Sequence, residues 1–285
     1  MRHLLRYLVI VAAATFVCLI TVNAASAATI FTFTTGSPDG LMGAASQPPG
    51  ANNNNVENET GDDFILTNPT VLTSATFTGL LPANFNPANI NNVTVEIYRV
   101  FPQDSTNPPN GMVPTRVNSP GDVEFTDDNT GNNSLSFTTT VLNPNFTAAN
   151  SVLNGIHPIP NQTTGGEGAI TGQEVQFNVT FNTPISLPAN HYFFVPQVGL
   201  TSGNFFWLSA PRPNVINPIT PDLQAWTRNS ALDPNWLRIG TDIVGGAATF
   251  NESFALVGTV VPEPATTCLA LIGLGVIVGR KLRRR

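Results

Sequence analysis

Residues 174–181 read Glu-Val-Gln-Phe-Asn-Val-Thr-Phe, and residues 93–100 read Val-Thr-Val-Glu-Ile-Tyr-Arg-Val. Apolar and polar residues alternate one by one in both, the period of a strand with one buried and one wet face. A helix would scatter Val175, Phe177, Val179 and Phe181 around its circumference; a strand lines them up on one side. The pattern recurs in both directions along the chain. Residues 29–35 set Phe31 and Phe33 against threonines, and 63–67, 71–80, 134–137, 191–195, 204–209 and 253–260 are further candidates. Each is rich in β-branched or aromatic residues, and Asn-Pro, Pro-Gly, Thr-Gly and Gly-Gly breaks separate them.

Sheets with one apolar face bury it by packing against each other. The predicted fold class is therefore all-β: a single β-sandwich over residues 28–260, the jelly roll being one form of it. About 230 residues suits one large sandwich. The absence of a fixed repeat of about 20–50 residues argues against a solenoid or propeller. Residues 36–61, 103–120 and 210–221, dense in proline or asparagine, read as loops. Residues 146–153 read as a short helix.

Charge narrows the function. Only 11% of the 285 residues are charged, against about a quarter in average globular chains. Between Ala28 and Val261 the basic residues are Arg99, Arg116, Arg212, Arg228 and Arg238, facing seventeen acids, with no lysine. A nucleic-acid surface needs clustered Lys and Arg, so nucleic acid is excluded as a partner. The body is acidic but rich in Asn and Thr, which predicts a surface of hydroxyls and amides.

The ends carry addresses. Arg2 and Arg6 precede the apolar run of residues 8–20, and Ala25-Ser26-Ala27 precedes Ala28. That is the layout of a secretory signal over residues 1–27, cleaved by signal peptidase after Ala27. The two cysteines are Cys18 and Cys268, so the exported body holds no disulfide and no thiol nucleophile. At the other end, Pro262-Glu263-Pro264 is followed by an uncharged run, 265–279, and by Arg280, Lys281, Arg283, Arg284 and Arg285. Fifteen helical residues span about 22 Å, a short crossing of a core of about 30 Å. The basic tail is predicted to stay cytoplasmic and the body outside.

Residues 261–285 resemble the PEP-CTERM sorting domain: the Pro-Glu-Pro triplet, a short apolar helix and an Arg-rich end, in order. The resemblance implies processing by an exosortase at or near the triplet, an envelope or extracellular location with transient or stable tethering in the inner membrane, and a link to exopolysaccharide and biofilm. It covers only these residues and says nothing specific about the body.

Catalytic motifs are missing from the body. His157 and His191 are not spaced as a metal pair, and Gly-x-Ser-x-Gly does not occur. Two facing carboxylates would suffice for a glycosidase, so an envelope hydrolase is the third alternative. Two acidic clusters, Glu57/Glu59/Asp62/Asp63 and Asp122/Glu124/Asp127/Asp128, read either as solvated loop acids or as oxygen ligands for calcium, with Asp122, Asp127 and Asp128 as candidates. No other cofactor or metal is suggested. The aromatic residues 192–236 read either as core or as a sugar-stacking platform built on Tyr192, Trp226 and Trp236. The leading expectation is a non-enzymatic surface or matrix protein, structural or adhesive and associated with exopolysaccharide. A carbohydrate-binding, lectin-like module, calcium-dependent or not, is the alternative.

Overall fold

The computed structural model describes residues 29–50, 56–156, 163–246 and 248–262. The strands fall into two sheets. The larger contains β1 (Ile30–Thr34), β2 (Met42–Ala45), β4 (Thr70–Leu81), β7 (Leu135–Ala148), β8 (Asn150–Val152), β9 (Ile170–Leu187), β11 (Phe206–Ala210), β14 (Asn251–Glu252) and β15 (Phe254–Val260). The smaller runs β13 (Leu237–Arg238), β12 (Trp226–Asn229), β3 (Asn58–Leu66), β10 (Asn190–Leu200), β5 (Ile90–Val100), β6 (Pro120–Asn129). β4 organises the larger sheet: β9 pairs along its length and carries β7 on its far side, while β15 and β11 also pair with it.

The two sheets share one core. Val93, Val95 and Ile97 of β5 and Tyr192, Phe194 and Val198 of β10 join Phe77 of β4, Val175, Phe177 and Val179 of β9, Phe33 of β1 and Leu256 of β15 in a single buried cluster. Phe194 stacks on Phe254 at 5.1 Å and meets Trp207 edge-on at 5.9 Å, so rings of one sheet lie on rings of the other. Phe77 and Phe177 stack at 4.8 Å within the larger sheet. This is the sandwich that the alternation predicts. Residues Ile30–Thr259 form one compact unit; of a second unit, Met1–Thr29 with Val260–Arg285, only residues 29 and 260–262 are described.

Three expectations change. Residues 146–153 are not a helix: Phe146, Thr147 and Ala148 pair with Gly172, Thr171 and Ile170, and Asn150–Val152 pairs in parallel with β2. Thr, Asn and Val are weak helix formers, and long-range pairing overrides the local preference. Residues 120–129 are strand, not acidic loop, pairing with β5 from Thr94 to Val100. The predicted loop 36–61 hides β2 and the start of β3. β2 is Met-Gly-Ala-Ala with all four residues buried, so no alternation marks it. The predicted signal peptide and the span 265–279 lie outside the described residues. Among the described residues no helix is long and apolar enough to cross a membrane.

Close packing gives a first prediction. A Cβ added to Gly79 would overlap the Phe205 ring and lie 2.6 Å from the Phe206 carbonyl oxygen. Backbone cannot yield cheaply there, so Gly79→Ala is expected to cost about 1–3 kcal/mol, read as a lower urea midpoint at unchanged m-value.

Candidate functional site

The three aromatic residues singled out from sequence are interior. Tyr192 and Trp236 are 0% exposed and Trp226 2%, so none offers a face to a sugar. Tyr192 lies between the sheets, stacked on Phe64 at 5.6 Å, with its hydroxyl donating to the Pro188 carbonyl at 2.9 Å. Trp226 and Trp236 join Tyr98, Phe193, Val195 and Leu223 in a second apolar layer over the outer face of the smaller sheet. That face is sealed by the chain itself.

Arg228 ties this layer together. Paired with Glu59 across β12 and β3, it forms an ion pair through Nε. Its Nη2 donates to the Tyr98 hydroxyl at 3.0 Å, and that hydroxyl donates to Glu96 at 2.9 Å. Nη1 lies 2.9 Å from Asp233, and the guanidinium sits over the Trp236 ring at 4.4 Å. Burial opposes the charge on Arg228, but Glu59 more than offsets it and holds the guanidinium above its ordinary range. Burial, then the nearby Glu59, pushes the Glu96 carboxyl up to about 8. Glu57 is raised for the same two reasons.

The calcium candidates do not converge. Asp122 is held by Arg116, Ser105 and Asn107. Asp127 and Asp128 pair with Glu96 and Val95 and so project to opposite faces of β6. Asp128 accepts from Thr126 at 3.0 Å. Among the described residues no three His, Cys, Asp or Glu side chains are grouped to hold a metal.

Other carboxyls are buried without a cation. Asp62, in register with Phe194, accepts from the Glu252 backbone N–H at 2.8 Å through Oδ2, while Oδ1 has no partner among the described residues. Both carboxyl oxygens of Glu252 lack one as well. Burial first, then Asp62 and Asp39, raises Glu252; burial first, then Asp63, raises Asp62. Asp63 meets His191 Nε2 at 2.6 Å and accepts from the Leu223 N–H at 3.0 Å. Burial raises the Asp63 carboxyl and lowers the His191 imidazole to about 4, so both shifts oppose an ion pair between them.

The outer face of the larger sheet is different in kind. Because Phe77, Phe177 and Phe137 point inward, the alternate residues of β4, β9 and β7 point out, in register. Ser74, Thr180 and Ser136 form one row across the three strands; Thr76, Asn178 and Thr138 form the next; Thr78, Gln176 and Thr140 form the third, which is covered at its β4 end, where Thr78 is buried. At one end lies a cleft of about 340 Å³. Thr76, Thr78, Gln176 and Glu174 supply β4 and β9 groups to it, and Leu142 and Ile216 are apolar residues on its wall. Burial raises the Glu174 carboxyl. Sequence reasoning passed over these residues. Their signal was present as the polar half of each alternation, but not which strands lie side by side.

Residues 260–285 match the PEP-CTERM protein-sorting motif. No curated protein and no solved structure matches the chain. The triplet at Pro262, Glu263 and Pro264 thus belongs to a sorting motif, the mark of an exported protein that passes a membrane and is processed by an exosortase. Glu263, Pro264 and the tail from Arg280 to Arg285 lie outside the described residues, as do Ala25, Ala27, Ala28 and His157.

Proposed function

We propose that the body is a non-enzymatic surface or matrix protein, structural or adhesive, working in contact with exopolysaccharide outside the inner membrane. The observation that carries this reading is the contrast between the two outer faces. One is closed over by the chain's own tryptophan layer, whereas the other is open along β7 and β9, where it carries uncharged hydroxyl and amide groups. Such groups both donate and accept, as sugar hydroxyls do. They are also far cheaper to strip of water than charges. The sorting motif supports the route, which is export, passage through the membrane and exosortase processing; the cell surface or matrix is the proposed destination.

The test is cosedimentation of the purified full-length chain with the producer's own exopolysaccharide, with calcium and with chelator. Saturable cosedimentation in both buffers is expected. None in either buffer overturns the reading, and robust turnover of a glycoside by the same preparation would replace it with an enzyme.

A further inference from the structure

We infer that the three rows on β7, β9 and β4 are the binding face for an extended, neutral polysaccharide chain, whose end enters the cleft beside Glu174. This inference rests on the reading above and names the site and the ligand class.

The first argument is availability. Several Asn, Ser and Thr side chains elsewhere are tied into turns and strand ends: Asn214 accepts from two backbone N–H groups, and Ser253 donates to the Gly36 carbonyl. In the rows, Ser74, Thr76, Thr78, Thr138, Thr140, Gln176, Asn178 and Thr180 make no side-chain hydrogen bond to any described residue. Only Ser136 is engaged, donating to Asn182 at 3.1 Å. Packing does not account for these polar groups, because their strands are held by backbone pairing and by the phenylalanines beneath.

The second argument is regularity. Neighbours in a row stand about 4.8 Å apart, and successive rows about 6.7 Å apart. A repeating grid of like groups suits a ligand that repeats, a chain of hydroxyl-bearing units, rather than a small molecule with one distinctive group. Among the described residues β7 pairs only with β9, so the grid runs to an edge where a chain can continue past the protein.

The third argument is charge. No Lys or Arg lies on β1, β4, β7, β9 or β15, so a polyuronate or other polyanion would find no counter-charge here. Glu174 can accept hydroxyl donors from the chain end. Leu142 and Ile216, 50% and 57% exposed, offer aliphatic surface to the C–H faces of sugar rings.

Affinity gel electrophoresis of the full-length protein tests this, with dextran, galactomannan and a β-glucan as neutral probes and alginate as the polyanion. At least one neutral polymer is expected to retard the protein and alginate is not. The variant Thr138→Ala/Thr140→Ala/Asn178→Ala is expected to lose at least tenfold in affinity, while Thr32→Ala/Thr259→Ala on β1 and β15 keeps it. Should the triple variant melt early, Asn178→Asp, which sets a charge in the middle row, is expected to give the same loss in a folded protein. Unchanged retardation of the folded variants, retardation by alginate alone, or none by any neutral polymer overturns the inference. If the folded variants still cosediment with the producer's exopolysaccharide, this face is wrong and the surface reading survives. If the parent does not cosediment, the surface reading itself fails.

Discussion

Glu252→Gln is expected to stabilise the fold at pH 8 by about 2–3 kcal/mol, the cost of a charged group buried without a partner, and to change it little at pH 4. Glu252 is wholly buried, and its two oxygens find no donor among the described residues. A carboxyl raised by burial binds its proton more tightly in the native chain than in the unfolded one. Its contribution is therefore complete below about pH 4 and is lost as pH rises through the raised value. Glu252, Asp62 and Asp63 all act in this sense, and Glu96, raised to about 8, places its own loss between its ordinary value and that pH. His191 works the other way. Lowered to about 4, it gives stability that is present above about pH 6.5 and lost as pH falls through 4. The carboxyls outnumber it, so native stability is expected to fall between pH 5 and pH 8. Glutamine removes one ionisation beside Asp62 and Asp39, each of which has one buried oxygen without a partner among the described residues. Urea unfolding of parent and variant at pH 4, 6 and 8 measures both effects. Superimposable curves at every pH would sink this account. A calcium-induced rise in Tm that the variant loses would show that a cation, not a proton, neutralises these carboxyls.

The strands that could be read from sequence are those with one apolar face on the core. β5 and β9 alternate because Val93, Val95 and Ile97, and Val175, Phe177 and Val179, all enter one cluster. β2 could not be read because burial on both sides leaves Met42–Ala45 without a polar half. β6 was obscured for the opposite reason: acids stand on both its faces, and one of them, Asp122, is neutralised by Arg116, six residues upstream in the chain. The tryptophans misled through their neighbours. Trp226 and Trp236 are surrounded in sequence by Gln, Arg, Asn and Asp, but Arg228 turns back over the Trp236 ring and buries it. Local polarity does not report exposure when the polar neighbour is itself the cover. The open face was half legible. Thr76, like Thr138 and Thr140, belongs to the polar half of a period-two pattern, but the shared rows depend on β9 meeting β4 from far back in the chain and β7 from nearer by.

Arg228→Met is expected to cost about 3–5 kcal/mol, because it leaves buried acid without its counter-charge. Arg228 is 7% exposed and Glu59 6%, so neither can turn to water once the other is gone. Tyr98 would lose the donor to its hydroxyl, and Glu96 would lose the cation that opposes its own rise. Arg228→Lys should recover only part of the loss. A single ammonium cannot bond Glu59, Tyr98 and Asp233 together or lie flat on Trp236. If uncompensated charge is the cause, Arg228→Met/Glu59→Met should be more stable than Arg228→Met alone and approach the parent, since apolar replacement of a whole buried pair is often neutral. If lost packing on Trp236 is the cause, the second substitution will not help. The double-mutant cycle separates the two. A coupling of about 2 kcal/mol or more assigns the effect to the ion pair; additivity assigns it to the arginine stem and ring. The first outcome would make the network an electrostatic clamp between β12 and β3, holding shut the face that the tryptophans cover and leaving the hydroxyl face of the other sheet as the open one.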